Sequence, residues 1–185
     1  QVYKHNGDID KYIGDAVMAL FSHFPEQAVN AAIEMQQKVK EYNNYRITKK
    51  HPAINIGVGI HIGKLMLGII GEEERMQGTV ISDAVNLAQR IEEMTKRYGA
   101  KIIISKDTFM KIEDPNNYHY RFLGITTVKG KQKPTSIFEI LNSDSEEQLE
   151  SKLSTKDDFE VALYLYKYNE FKEAIQKFTE VLKIN

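Results

Sequence analysis

The chain has 185 residues, of which 42% are hydrophobic and 28% charged; this composition suffices for a buried core and excludes an intrinsically disordered protein. Its 25 lysines and arginines nearly cancel 26 aspartates and glutamates, so no global charge attracts it to nucleic acid or to an anionic membrane. The absence of cysteine excludes disulfides, thiolate catalysis and zinc–sulfur sites, and no apolar run approaches the roughly 20 residues of a spanning helix. We therefore expect a cytoplasmic protein, and a piece of a longer one because the sequence begins without Met.

The first predicted element is a β-hairpin. Two apolar runs within residues 9–21 are joined by Gly14-Asp15, a composition typical of a tight turn, which places Asp15 at the tip. Apolar residues then recur at helical spacing from Pro25, and this pattern predicts a helix that ends near Asn43.

A second hairpin is predicted in the next stretch. Apolar residues alternate through residues 54–62, Gly63-Lys64 can turn, and residues 65–70 return. Ser82 can then cap a helix that Gly99 ends.

The last part of this region predicts one more strand at residues 101–105, a helix to about Glu113, and strands near residues 118–123 and 135–141. Hairpins that alternate with helices indicate an α+β sandwich, in which helices cover a mixed sheet mainly on one face.

The composition changes after residue 141. Residues 142–156 are polar and charged, which predicts a linker or a solvated helix. Residues 157–185 resemble part of one tetratricopeptide repeat, on the spacing of Ala162, Phe171, Ala174 and Phe178. The alternative is an ordinary amphipathic helical hairpin. Since one repeat cannot bury its own apolar face, we expect further repeats and a protein partner in the parent protein.

Four strings in the chain, taken together and in this order, resemble the catalytic domains of class III adenylate and guanylate cyclases: I-D-K-Y-I-G-D-A-V-M-A-L-F, G-V-G-I-H-I-G-K, T-V-I-S-D-A-V-N-L-A-Q-R and V-K-G-K. The resemblance runs from about Gly7 to Leu141. It implies a ferredoxin-like, palm-type sandwich with a mixed, mainly antiparallel sheet in residues 1–141. A C-terminal helical hairpin follows this domain.

The resemblance implies that Asp15 binds a metal ion. Cyclisation of a nucleoside triphosphate suits two divalent ions, Mg²⁺ or Mn²⁺, and such hard cations prefer carboxylate oxygens. The alternative is a solvent-exposed turn aspartate. The family's second metal aspartate lies on an upstream strand that is absent here, and Asp8 and Asp10 fit better as exposed polar residues. We therefore expect this chain alone to be inactive, with a sheet edge left exposed to non-native pairing.

The resemblance also implies that Lys11 and Thr79 recognise adenine. Lys11 only donates hydrogen bonds, as adenine N1 requires, and Thr79 can accept one from the 6-amino group. Guanylate cyclases carry glutamate at the lysine position. The alternative is a solvated lysine and an ordinary strand threonine.

Asn86 and Arg90 are four residues apart and therefore project from one face of the predicted helix. By resemblance Asn86 orients the ribose, and Arg90 stabilises the charge that develops on the α-phosphate. The alternative is an exposed asparagine and an arginine paired with a carboxylate such as Glu93.

By resemblance Lys129 contacts the terminal phosphates, although Lys131 and Lys133 nearby make a solvated basic loop a competing explanation. His61 is expected to be structural.

The resemblance implies that one protomer supplies the metal ligand and the other supplies the base, ribose and phosphate contacts, so a symmetric homodimer is expected. The predicted function is an adenylate cyclase that converts ATP to cyclic AMP and pyrophosphate. The alternatives are a guanylate cyclase and a non-catalytic dimerisation module. Neither nucleic-acid binding nor membrane insertion is expected.

Overall fold

A computed structural model of the chain describes residues 1–70, 77–126 and 134–184; in the strand pair at 66–70 and 77–81 it describes the backbone but not every side chain. Lys129, Lys131 and Lys133 lie outside the described residues, and so does the side chain of Thr79. No helix within the described ranges is long and apolar enough to cross a membrane.

The predicted first hairpin is confirmed. Strands β1 (Gly7–Ile13) and β2 (Ala16–Phe21) pair antiparallel, with Ile13 opposite Ala16. Gly14 closes the turn at φ 63°, a left-handed conformation that glycine adopts without steric cost. This geometry leaves Asp15 exposed at the tip.

Helix α1 (Pro25–Thr48) continues past the predicted end near Asn43. The Asn43 side chain donates to the backbone oxygen of Ile54 at 2.7 Å and accepts from its nitrogen at 2.8 Å. Asn43 therefore ties the helix to the following segment instead of ending it.

The remaining strands contradict the second predicted hairpin. Strand β3 (Val58–Ile60) lies parallel to β6 (Ile102–Ser105), whereas β4 (Met66–Ile70) pairs antiparallel with β5 (Gln77–Ile81). The alternating pattern of residues 54–62 correctly indicates an extended, half-buried segment, but alternation alone does not specify which strand it pairs with.

The central sheet has four strands in the order β3-β6-β8-β7, with β7 (Tyr120–Thr126) and β8 (Thr135–Ile140) antiparallel to their neighbours. Five further helices accompany it: α2 (Asp83–Tyr98), α3 (Lys106–Phe109), α4 (Glu146–Ser154), α5 (Lys156–Lys167) and α6 (Phe171–Val181). The predicted helix to Glu113 is a single turn, α3. The α+β architecture and the C-terminal helices are as expected.

Helices cover both faces of the central sheet, which corrects the expectation that they lie mainly on one. One buried cluster joins Leu87 and Ile91 of α2 to Ile103, while Ile102 and Ile104 point to the opposite face, toward α1. All four residues of β6 are buried. A continuous apolar strand of this kind is typical of a central strand that is covered on both faces.

The C-terminal helices pack on this sheet and on one another. The Lys152 side chain of α4 is only 11% exposed and forms 2.7 Å ion pairs with Glu139 of β8 and with Asp144. Phe159 of α5 packs against the cluster that contains Leu87. Within the α5–α6 pair, Ala162 is buried.

Candidate active site

The hairpin of β1 and β2 carries two of the predicted site residues. Asp15 is exposed at the tip, and a side chain built at Gly14 would meet nothing within 4 Å, so the turn is open to a ligand. Lys11 lies half-buried on β1, and its Nζ is 3.2 Å from Oδ2 of Asp10. Asp8 is exposed as predicted, but the Asp10 side chain is only 13% exposed, which corrects that part of the prediction.

Helix α2 carries two more predicted site residues, Asn86 and Arg90. Ser82 caps it as predicted, because its hydroxyl accepts from the Ala84 nitrogen at 2.9 Å, and it also donates to the Lys64 oxygen. Gly99 ends the helix at φ 61°. The capping hydroxyl therefore connects the start of α2 to the loop that follows β3.

Asn86 is exposed and Arg90 is half-buried, one turn apart on α2, while Leu87 and Ile91 are buried in the core. The alternative partner proposed for Arg90, Glu93, accepts a hydrogen bond from Gln89 at 3.2 Å. The apolar face of the helix thus packs into the core, and Asn86 remains exposed to solvent.

Two glycines allow α2 to pack directly against β3. A Cβ at Gly59 would collide with the backbone nitrogen of Glu92 and the backbone oxygen of Ala88, and a Cβ at Gly57 would collide with the Thr95 hydroxyl. Only a strand without side chains at these positions lets the helix approach so closely. Sequence reasoning missed this role, although two glycines at strand spacing in an apolar run are a detectable signal.

Glu92 is a further residue of this region that the sequence analysis did not single out. Partial burial raises the pKa of its carboxyl, and the negative charges of Glu93 and Asp15 raise it further. Asp15 and α2 of one protomer are therefore within electrostatic range of each other. A cation near Asp15 would relieve the same repulsion.

His61 is part of a buried hydroxyl network. Its Nδ1 is 2.8 Å from the hydroxyl of Ser105, which lies 3.0 Å from that of Thr108. The Thr108 hydroxyl accepts from the backbone nitrogen of Ile62 at 3.0 Å. These contacts agree with the structural role expected of His61.

The remaining predicted residues are placed only in part. Thr79 lies on β5 with its backbone opposite Gly68. Asp15 suits a hard cation as one oxygen ligand, since it is exposed on an open turn. Across the described residues no group of three or more His, Asp or Glu side chains converges on one point, so a complete ion site needs further ligands.

Comparisons of sequence and of structure both relate this chain to known adenylate and guanylate cyclases. The family model described as the adenylate and guanylate cyclase catalytic domain matches residues 3–141. An adenylate cyclase of Anabaena cylindrica is 41% identical over 140 residues, which cover 72% of this chain and 28% of that protein. The terminal-differentiation specific adenylate cyclase of Dictyostelium discoideum is 35% identical over 187 aligned positions, which cover 95% of this chain and 9% of that protein.

Two solved structures resemble the fold. The adenylyl cyclase CyaB from P. aeruginosa superposes with a TM-score of 0.65 at 29% identity, over 78% of this chain and 76% of that one. The guanylyl cyclase Cya2 superposes with a TM-score of 0.63 at 29% identity, over 75% and 72%. The chain spans less than a third of the two curated relatives' lengths. The Dictyostelium similarity, unlike the family match, continues past residue 141 into the C-terminal helices.

Proposed function

The chain belongs to the family of adenylate and guanylate cyclase catalytic domains, and from this premise we propose that it converts ATP to 3′,5′-cyclic AMP and pyrophosphate in the cytoplasm. The observation that carries the proposal is that one chain holds two elements that bear both sets of site residues. An open hairpin bears Lys11 and Asp15, and a capped helix bears Asn86 and Arg90. The relatives named above as adenylate cyclases support the choice of ATP.

In the proposed reaction the ribose 3′-hydroxyl gives up its proton to solvent water and attacks the α-phosphorus, the bond from that phosphorus to the bridging oxygen breaks, and pyrophosphate leaves. Two divalent ions, Mg²⁺ or Mn²⁺, would lower the pKa of the hydroxyl and neutralise the phosphates, with Asp15 as one ligand. Arg90 donates to the α-phosphate oxygens as negative charge grows there, and Asn86 orients the ribose. Lys129 would contact the terminal phosphates.

Base selection follows from donors and acceptors. The Lys11 ammonium donates to adenine N1, while the ion pair with Asp10 holds its side chain in place. Thr79 accepts from the 6-amino group. Guanine carries a donor at N1 and an acceptor at position 6, the reverse of adenine. Lys11 and Thr79 should therefore discriminate against GTP.

We propose that the site forms between two protomers, with Asp15 from one and Lys11, Thr79, Asn86 and Arg90 from the other. In a symmetric homodimer each protomer supplies both sets, which gives two equivalent sites. We also propose that α5 and α6 begin a tetratricopeptide-like array that binds a protein partner. Support for the array comes from their close pairing through Ala162 and Ala174, beside exposed aromatic residues such as Tyr164.

The test is steady-state turnover of ATP and of GTP by the full-length protein with Mn²⁺. We expect cyclic AMP to form faster than cyclic GMP, and Arg90→Ala to lower kcat by about 100-fold or more. A preference for GTP would overturn the base assignment. If the folded, dimeric protein forms neither cyclic nucleotide, it is instead a non-catalytic module.

A further inference from the structure

The C-terminal part of α1 and the turn after it concentrate positive charge in a chain whose net charge is −1. We call residues 38–51 the basic end of α1. It contains one carboxylate, Glu41, which is paired with a lysine at 2.6 Å. Its five cations, which give it a net charge of +4, are Lys38, Lys40, Arg46, Lys49 and Lys50. The chain therefore has a strongly basic local surface although its total charge is nearly balanced.

Aromatic and basic side chains alternate along one face of this segment. Tyr42, Tyr45, Arg46 and Lys49 have the spacing that places helical residues on one side. The two tyrosine rings stack with centroids 6.2 Å apart. The Arg46 guanidinium lies 5.7 Å from the centre of the Tyr42 ring, and the Lys49 ammonium lies 5.8 Å from that of Tyr45.

These residues are largely exposed within the chain. The exposed fraction is 48% for Tyr42 and 56% for Tyr45. Both side chains are therefore accessible to a partner on this face.

We propose that the basic end of α1 binds the surface of a membrane that contains anionic phospholipids. Lysine and arginine are attracted to the negative headgroups, and tyrosine favours the boundary between water and hydrocarbon. The charge of +4 complements such a surface, and no residue of the proposed active site belongs to this segment.

Single-stranded nucleic acid fits these observations less well. Stacking of bases requires open aromatic faces along a basic groove. Here Arg46 and Lys49 already lie over the tyrosine rings.

The test is co-sedimentation of the full 185-residue chain with vesicles, at low and at physiological salt. We expect binding to vesicles with about a third phosphatidylserine, weaker binding as salt rises, and none to pure phosphatidylcholine. The double variant Lys49→Gln/Lys50→Gln should weaken binding by roughly 30-fold, since each lysine near an anionic surface contributes about a factor of five. Tyr45→Ser should weaken it by about fivefold without a change of charge.

Lys172→Gln/Lys183→Gln is the matched control, because both lysines are exposed on the C-terminal helix region and their loss changes the net charge equally. Unchanged binding in this control supports a local site. The proposal is overturned if the wild-type chain ignores anionic vesicles at low salt. It is also overturned if both double variants weaken binding equally, or if a single-stranded oligonucleotide competes the chain off the vesicles.

Discussion

Glu92 lies on the side of α2 that rests against β3, where partial burial and the charges of Glu93 and Asp15 raise the pKa of its carboxyl. A carboxyl whose pKa is higher in the folded than in the unfolded state favours folding while it is protonated. That contribution is complete below the unfolded pKa and is lost as the pH rises through the folded value. The charged form of Glu92 therefore opposes the packing of α2, and its protonated form does not.

We expect Glu92→Gln to be more stable than the wild-type chain at pH 7, by no more than about 1 kcal/mol because the group is partly solvated. The gain should shrink as the pH falls toward about 4, because protonation of the wild-type carboxyl removes the charge that opposes folding. Urea unfolding at both pH values measures this difference. Glu150→Gln, at an exposed position on α4, should show no such pH-dependent gain. A variant less stable than wild type at pH 7 would contradict the assignment.

At the scale of elements, the contact between α2 and β3 positions the helix that carries Asn86 and Arg90. Gly59→Ala places a methyl group against the α2 backbone, which cannot rotate away as a side chain could. We expect a loss of about 1–3 kcal/mol in the free energy of unfolding and a lower kcat, because α2 must move.

Gly68→Ala is the matched control, since a Cβ there meets no atom of the described residues within 4 Å. Its free energy of unfolding, measured by urea titration, should stay within about 0.5 kcal/mol of wild type. Equal effects of the two variants would show that steric contact with α2 is not the cause.

A buried network of charges attaches α4 to the sheet. Besides the Lys152 contacts, the Arg121 Nε lies 2.7 Å from Glu139 and the Lys101 Nζ lies 2.9 Å from Asp144. The Arg121 guanidinium also stacks over the Phe159 ring of α5 at 4.8 Å. The C-terminal helices are therefore joined to β6–β8 through charge as well as apolar contact.

Lys152→Met should lower the free energy of unfolding by about 3 kcal/mol, because two buried carboxylates each lose a partner. Lys177→Met is the comparison: its partners Asp158 and Glu180 are 53% and 44% exposed, so its loss should change stability by less than about 1 kcal/mol. Denaturant titration of both variants measures the difference. Similar small losses would mean that α4 is held by apolar packing alone.

At the scale of the whole molecule, β2 and β3 each have one unpaired edge among the described strands, since β2 pairs with β1 and β3 with β6. Such edges can pair with another strand, so the oligomer formed by this chain alone need not be the proposed catalytic dimer.

The shared site makes a quantitative prediction for mixed dimers. Asp15→Ala and Arg90→Ala of the full-length protein should each be inactive, but a re-equilibrated mixture of equal amounts should recover about a quarter of wild-type activity. Half of the random dimers are mixed, and each mixed dimer holds one intact site of two. Cyclic AMP production before and after mixing measures the recovery. An inactive mixture that contains mixed dimers would place the site within one protomer.

The sequence by itself determined the features that depend on neighbouring residues. Gly14-Asp15 makes a turn because of backbone conformation, and Ser82 and Gly99 bound α2 through local hydrogen bonds. The tertiary structure alone decided the partner of β3, the helices on both faces of the sheet and the burial of Lys152. Each of these joins segments far apart in the chain. Alternation and helical spacing state which side of an element is apolar, but which distant surface covers that side depends on how all the elements pack together.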